Sequence, residues 1–161
     1  MGKAFVYGDD INTDVIFPGK YTYTVTERSD MAQYAMEDLD ATFRDRVKPG
    51  DVVVAGKNFG CGSSREQAVI CLTELGVSAV IADSFARIYF RNAINQGLPV
   101  IVIDGAAEKI KDGDEVSFDL ESGKLTAPSG EYDFPPLSPE VKAILDAGGL
   151  VPYTKQKLGV E

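Results

Sequence analysis

The 161-residue sequence contains no histidine, and its only cysteines are Cys61 and Cys71. Without histidine, neither a Ser-His-Asp triad nor a Cys-His pair can form within the chain, so any base is a carboxylate, lysine, tyrosine, thiolate or activated serine. Two cysteines without a CxxC pair are too few for the usual zinc or iron–sulfur site, and we expect both to be free thiols. The chain alone is therefore predicted to bind no metal.

Long apolar runs and excess positive charge are also missing. No apolar run approaches the roughly 18 residues of a membrane span, and the Met-Gly-Lys start lacks the apolar core of a secretory signal, so we expect a cytoplasmic protein without membrane contact. A net charge of −9 repels phosphate backbones, and nucleic acid is not an expected partner. With 44% hydrophobic and 25% charged residues, the chain is predicted to fold as one domain over residues 1–161.

The middle of the chain alternates between strand and helix patterns. Short apolar runs rich in β-branched residues predict three strands, at 51–55, 78–82 and 99–103. Helical spacing fills both intervals; the first helix should end at Gly76, and the second should be capped by Ser84 and end at Gly97. Such alternation predicts parallel strands with right-handed crossovers, which is an α/β core.

The flanking segments follow other patterns. Residues 3–7 are predicted to form a strand, 8–24 a long irregular segment and 29–39 a short helix. Beyond the core, 115–120 alternates like a strand before turn-rich sequence, and 139–149 is predicted to be a closing helix with a proline near its start. The last third should therefore add hairpins and one helix.

One turn, NFGCGSSREQ at 58–67, follows the first core strand and leads into a helix, where open α/β sheets usually hold ligands. Gly60 and Gly62 permit positive φ and close backbone approach, and the free N–H groups of the helix face whatever lies in front of them. Arg65 adds a planar fork suited to a carboxylate or phosphate. Together these features predict an anion-binding turn.

A purely structural interpretation of the same residues stays open. Ser63 with Glu66, and Ser64 with Gln67, both have the spacing of a capping box, so either serine could serve only to satisfy helix N–H groups. The turn matches neither the dinucleotide-binding nor the P-loop fingerprint.

Three ordered blocks, GDDINTDVIFPGKY (8–21), GKNFGCGSSRE (56–66) and SFARIYFRNAINQGLP (84–99), resemble the swivelling domain of the aconitase superfamily. As a free-standing piece the chain is similar in length to the small subunits of its 3-isopropylmalate dehydratases. The resemblance implies a three-layer β/β/α fold with parallel strands in the central part. It also implies a separate aconitase-like large subunit that carries a [4Fe–4S] cluster, with the active site closed between the two chains; the isolated chain could self-associate.

The resemblance further implies the roles of the turn residues. Ser63 corresponds to the catalytic base, while Ser64 and Arg65 correspond to contacts with a substrate carboxylate, next to Gly62. Asp14 matches an aspartate of the family's first motif, although it could equally serve an Asx turn. A serine alkoxide becomes accessible where N–H groups, a helix N-terminus and a cation stabilise it.

The implied reaction moves a hydroxyl group within a small dicarboxylate through an alkene intermediate, as in 3-isopropylmalate dehydratases of leucine biosynthesis. The base removes a proton next to a carboxylate, the cluster's open iron takes the departing hydroxyl, and water returns on the neighbouring carbon. Related hydratases that act on dimethylmalate, methylmalate or citramalate, or homoaconitate remain alternatives. A non-catalytic module that grips phosphate is an alternative of another class.

A specificity loop is implied at Tyr21, Thr22, Tyr23 and Thr24. Relatives that handle tricarboxylates carry an arginine at or near the Tyr23 position, whereas no arginine occurs before Arg28 here. A tyrosine suits an alkyl side chain and would leave a third carboxylate unpaired, at a cost of about 1–3 kcal/mol or more. The loop therefore favours an alkylmalate.

Four further residues carry open alternatives. Gln67 stands where many relatives have histidine, so a hydrogen bond from that histidine is not expected. Cys61 is either a small packing residue or an oxidation-sensitive thiol. Arg87 and Arg91, four apart on one helical face, either dock a partner or are simply solvated.

Overall fold

The computed structural model describes residues 2–62 and 65–159. The strands are β1 (Gly2–Val6), β2 (Val52–Ala55), β3 (Ala79–Ala82), β4 (Val100–Val102), β5 (Glu115–Asp119), β6 (Lys124–Ala127) and β7 (Gly130–Asp133). The α-helices are α1 (Thr13–Ile16), α2 (Arg28–Met31), α3 (Phe43–Arg46), α4 (Gln67–Glu74), α5 (Arg87–Asn95), α6 (Ala106–Lys109), α7 (Pro139–Ala147) and α8 (Leu150–Leu158). Two 3₁₀ turns occupy Gly19–Tyr21 and Ala32–Tyr34.

The strands form one mixed sheet in the order β4-β3-β2-β1-β5-β6-β7. Neighbours among β1 to β4 are parallel, with Val53 of β2 opposite Phe5 of β1 on one side and Val80 of β3 on the other. Helix α4 connects β2 to β3, and α5 connects β3 to β4. The predicted strand–helix alternation and its parallel core are thus confirmed. Gly76 and Gly97 follow the two helices at φ +84° and +83°, as predicted.

Both faces of the parallel strands are buried, and successive side chains enter different cores because strand side chains alternate between faces. Val53 and Val80 pack with the helices, whereas Val52 and Ile81 pack in the second core. That second core also contains residues of α6, β5 and β6, among them Val116 and Leu125. The layers are therefore helices, parallel strands and antiparallel strands, which is the predicted β/β/α arrangement.

The last third of the chain extends the sheet and then adds helices. Strand β5 pairs antiparallel with β1 and with β6, and β6 pairs antiparallel with β7, so the predicted hairpins are confirmed. Helix α7 begins at Pro139 with Ser138 as its cap, as expected. The prediction of only one closing helix is wrong, because α8 follows after Gly148 and Gly149 reverse the chain at φ +94° and +134°.

Two other local predictions need correction. The helix predicted for 29–39 is a single α-turn followed by a 3₁₀ turn, and the chain turns away at Met36, whose φ is +60°. Ser84 does not cap α5; its hydroxyl accepts a hydrogen bond from the Asn58 amide instead. The N-cap position of α5 is Ala86, which has no side-chain oxygen to offer.

None of the helices in the described residues has both the length and the apolar composition of a membrane span.

Candidate active site

The turn that follows β2 lies between two other segments of the chain. An isolated parallel bridge joins Cys61 to Asn12, just before α1, and another joins Phe59 to Phe85, just before α5. These bridges continue the parallel pairing past the ends of the strands. As a result, the turn, the first helix and the start of α5 meet at the carboxyl ends of β2 and β3.

The two glycines of the turn have the positive φ predicted from the sequence, +84° at Gly60 and +102° at Gly62. A Cβ atom on Gly60 would lie 2.2 Å from Cγ of Tyr89, so no larger residue fits without a shift. The Gly60 amide donates to the carbonyl oxygen of Ile11 at 2.7 Å. The chain can follow this path only because residue 60 has no side chain.

Tyr89, which packs against Gly60, is fixed at its other end. Its hydroxyl donates to the carbonyl oxygen of Ala68 in α4 at 3.0 Å, and its ring meets that of Phe59 edge-on at 5.2 Å. Burial raises the pKa of the Tyr89 phenol well above its usual value, so the side chain stays neutral. Tyr89 therefore connects α5, the turn and α4 without carrying charge into the site.

Arg65, the predicted substrate contact, is largely occupied by the N-terminal segment. One terminal nitrogen, Nη1, donates to Oγ1 of Thr22 at 2.8 Å, and Nη2 donates to Oδ1 of Asp14 and to the carbonyl oxygen of Phe17, both at 2.8 Å. The side chain is only 14% exposed, and its buried Nε has no hydrogen-bond partner among the described atoms. The guanidinium thus holds the segment that leads into the specificity loop.

Asp14 lies in the first turn of α1, and its side chain is 70% exposed. The Asx-type hydrogen bond belongs to Asn12 instead, whose Oδ1 accepts from the Val15 amide at 3.0 Å and caps the helix. An ion pair with a largely exposed carboxylate is screened by solvent and contributes little to stability, so the main consequence of the Asp14–Arg65 contact is orientation of the guanidinium.

The four residues of the specificity loop fall into two pairs. The Tyr21 ring lies 4.0 Å from the Tyr34 ring between centroids, and its hydroxyl donates to Glu37 at 3.3 Å. Desolvation and this carboxylate raise the pKa of Tyr21. Thr22 is held by Arg65, whereas Tyr23 is 93% exposed and Thr24 is also exposed. The loop therefore anchors through Tyr21 and Thr22 and presents Tyr23 outward.

Helix α4 begins at Gln67 with Glu66 as its N-cap, and Glu66 makes no side-chain capping hydrogen bond. Both capping-box predictions placed the start of the helix earlier than this. The Gln67 side-chain amide instead donates to the carbonyl oxygen of Thr22 in the specificity loop and to that of Val25 just after it. Ser63 and Ser64, the predicted base and its neighbour, lie outside the described residues.

A cavity of about 360 Å³ opens between the turn and α5, a volume within the range of small-ligand sites. Its lining comprises Thr13, Gly60, Gly62, Arg65, Ala86, Arg87, Ile88, Tyr89 and Asn92. Of the predicted residues, Gly60, Gly62 and Arg65 line it, whereas Asp14 and the specificity loop do not. Two arginines in the lining make it suitable for an anionic ligand in an otherwise acidic chain.

The family model of the aconitase C-terminal domain matches residues 9–105. The chain belongs to that family. The match spans both core helices and every segment that lines the cavity, so the resemblance identified from three sequence blocks is confirmed.

Members of the aconitase C-terminal domain family include relatives of nearly the same length. The 3-isopropylmalate dehydratase small subunit of Moorella thermoacetica is 48% identical over 98% of this chain and 96% of its own length. The isopropylmalate/citramalate isomerase small subunit of Methanocaldococcus jannaschii is 46% identical over 98% and 94%. A crystal structure of 3-isopropylmalate dehydratase from that organism aligns with a TM-score of 0.91 at 45% identity, over 98% of this chain and 93% of the other.

The arginines of the family's third block, Arg87 and Arg91, have different positions in the site. Arg87 lines the cavity, and Arg91 does not. Both are exposed, and neither side chain makes a hydrogen bond or ion pair with residues 2–62 and 65–159. The sequence analysis did not predict that Arg87, Ile88 and Asn92 line a cavity. The order of the elements could have predicted this, because their helix also starts after the carboxyl end of a core strand, where open α/β sheets usually bind ligands.

The two cysteines have different surroundings. Cys71 is fully buried in α4, and burial raises the pKa of its thiol, which makes it an inert core residue. Cys61 is a partly buried free thiol in the turn itself, so both alternatives proposed for it stay open. Across the described parts of the chain, no cluster of three or more His, Cys, Asp or Glu side chains could hold a metal ion.

Proposed function

We propose that this chain is the small subunit of a 3-isopropylmalate dehydratase and completes its active site with an aconitase-like large subunit. The proposal is carried by one observation: an arginine-lined cavity lies at the strand ends of a chain whose nearly full-length relatives are named small subunits of that enzyme. The described residues offer no site for an iron–sulfur cluster, so on this proposal the large subunit holds the [4Fe–4S] cluster. When bound, the cluster would supply a Lewis acid for the departing hydroxyl.

The residues of this chain would then bind one end of an alkylmalate and move its proton. Arg87 lines the cavity without a counter-ion among the described residues and is suited to a substrate carboxylate. Arg65 orients the segment around Asp14 and contributes its positive charge to the same cavity. Ser63 would remove the proton, and Ser64 and Gly62 would lie against the substrate. Ile88, 53% exposed at the cavity, offers an apolar wall for the alkyl group.

Citramalate is the second candidate substrate, because one 46% identical relative is named an isopropylmalate/citramalate isomerase small subunit. The two malates differ only in the alkyl group. An apolar cavity wall can contact either group, but isopropyl is larger than methyl by two carbons, and each methylene in such a pocket changes discrimination by about 10–200-fold.

The proposal is tested by assembly. The chain is co-expressed with an aconitase-like large subunit, the cluster is reconstituted, and alkene absorbance is followed with isopropylmalate, citramalate and a carboxyalkyl malate. We expect turnover with the alkylmalates from the complex and none from either chain alone. An inactive complex, combined with tight calorimetric binding of inorganic phosphate by the chain alone, would instead favour a non-catalytic anion-binding module.

Tyr23→Arg is expected to shift selectivity toward the carboxyalkyl malate. The new guanidinium would stand at an exposed loop position and pair with the third carboxylate, which we expect to change the ratio of kcat/KM values at least about tenfold, the equivalent of 1.4 kcal/mol. The measurement is kcat/KM for both substrates in the assembled enzyme. Gln156→Arg on α8 adds the same charge at an exposed position outside the cavity lining and serves as the control. If the ratio of kcat/KM values were the same in both variants, Tyr23 would have no role in substrate selection.

A further inference from the structure

One side chain holds both ends of the exposed tip of the specificity loop. The Nε2 group of Gln67 donates to the carbonyl oxygen of Thr22 at 2.9 Å and to that of Val25 at 3.2 Å. These two carbonyls flank Tyr23 and Thr24, which are the exposed residues of the loop. A single amide group therefore closes the tip across its base.

The tip has few other constraints. Tyr23 is 93% exposed, and its phenol makes no hydrogen bond to the described residues. Across the tip, the backbone amide of Val25 donates to the Tyr21 carbonyl oxygen at 3.0 Å, and that of Thr24 donates to the same oxygen at a long 3.3 Å. The direction of the Tyr23 side chain is thus set mainly by the backbone on either side, where Gln67 acts.

Gln67 is well placed to transmit the position of the helix to the loop. It is the first residue of α4, and the following residues Ala68 to Leu72 are buried in the core, so its backbone belongs to a rigid element. Arg65, two residues earlier, donates to Thr22 Oγ1 at 2.8 Å and thus fixes only the first end of the tip. Gln67 is the side chain that also reaches the second end.

We propose that Gln67 is a positioning residue that determines which malate side chain the enzyme accepts, by fixing the direction of Tyr23 at the exposed tip of the specificity loop. The inference rests on the proposed function and on the role of the loop in selecting substrate. Gln67 itself would touch neither the substrate nor the cluster. The Gln67 side chain is the donor in both of its hydrogen bonds, so replacing the amide with a group that cannot donate removes both bonds at once.

Two substitutions remove the donors in different ways. Gln67→Met keeps the length of the side chain and leaves both carbonyls without this partner. Gln67→Glu keeps the shape but sets carboxylate oxygens against two carbonyl oxygens, which is repulsive, and adds a negative charge near Arg65. Agreement between the two variants would assign the effect to the lost donors rather than to charge. Glu66→Gln is the matched control, since the neighbouring side chain makes no capping contact.

The measurements are kcat and KM of the assembled enzyme for isopropylmalate and for a carboxyalkyl malate, together with amide hydrogen exchange of the 22–25 segment in the full chain. In Gln67→Met and Gln67→Glu we expect kcat/KM for isopropylmalate, divided by kcat/KM for the carboxyalkyl malate, to fall about 5–100-fold. The loss of two modest hydrogen bonds allows a change of this size. We also expect faster exchange in the segment, and kcat for saturating isopropylmalate within about threefold of wild type. Glu66→Gln should change none of these.

The failures of the two proposals are distinguishable. A wild-type complex that converts no malate contradicts the proposed function, while exchange in the isolated chain still tests the tether. An active wild type whose Gln67 variants lose kcat equally on both substrates overturns the positioning role and leaves a merely structural one. A changed ratio in Gln67→Glu alone also overturns it, because the cause would then be the added charge.

Discussion

Replacing Ser63 by alanine is expected to lower kcat of the assembled enzyme about 10²–10⁴-fold, the usual contribution of a positioned base. The hydroxyl is a weak base unless its alkoxide is stabilised, and with no histidine in the chain the stabilisation has to come from N–H groups and cations. Gly62 and Arg65, the described residues on either side of the Ser63-Ser64 pair, both line the cavity. Helix α4 begins just after them, and its N-terminus favours negative charge.

The measurement compares alkene formation by wild type and Ser63→Ala at saturating isopropylmalate, with KM determined separately. We expect KM to change little, because the loss concerns proton transfer rather than binding. Ser117→Ala, on strand β5 and outside the cavity lining, is the control for removal of a hydroxyl. Undiminished turnover of Ser63→Ala would show that Ser63 is not the base. A carboxylate or tyrosine of the complex would then have to remove the proton.

The parallel core could be predicted from sequence because its signals are local. The valine run of β2, the helical spacing from Ala68 to Leu75 and the glycine that ends α4 each lie within a few residues, and the structure confirms all three. The family, too, could be identified from three contiguous blocks. Hydrophobic periodicity and turn residues depend only on neighbouring positions, so they can be recognised without any knowledge of the tertiary structure.

The contacts that build the site could not be predicted in this way. Arg65 meets Thr22 and Gln67 meets Val25 across more than 40 positions of sequence, and nothing in the local pattern pairs them. The same reason explains the wrong prediction that Ser84 caps α5: its hydroxyl accepts a hydrogen bond from the distant Asn58 amide, which competes with a local role at the helix. Helix α8 was missed because its exposed apolar residues do not give a buried face to recognise.

Gly60→Ala is expected to destabilise the protein by about 2–5 kcal/mol. A residue with a Cβ atom at positive φ costs about 1–2 kcal/mol, and overpacking of the site costs about 1–3 kcal/mol more. The new Cβ would lie 2.2 Å from Cγ of Tyr89, and that ring is held by the Ala68 carbonyl and by Phe59. Neither partner can yield without moving α4 or the turn. The expected result is a melting temperature lower by at least about 5 °C, measured by thermal unfolding of the full chain.

Gly113→Ala separates the two causes, since Gly113 has a similar φ of +89° but nothing within 4 Å of a Cβ atom. It should show only the conformational cost, about 1–2 kcal/mol. Because Gly60 also lines the cavity, the same substitution should reduce activity of the complex at temperatures where the protein is still folded, which Gly113→Ala should not. Equal losses of stability in the two variants would mean that the Tyr89 ring adjusts, and that the close approach of α5 to the turn is not what fixes the cavity.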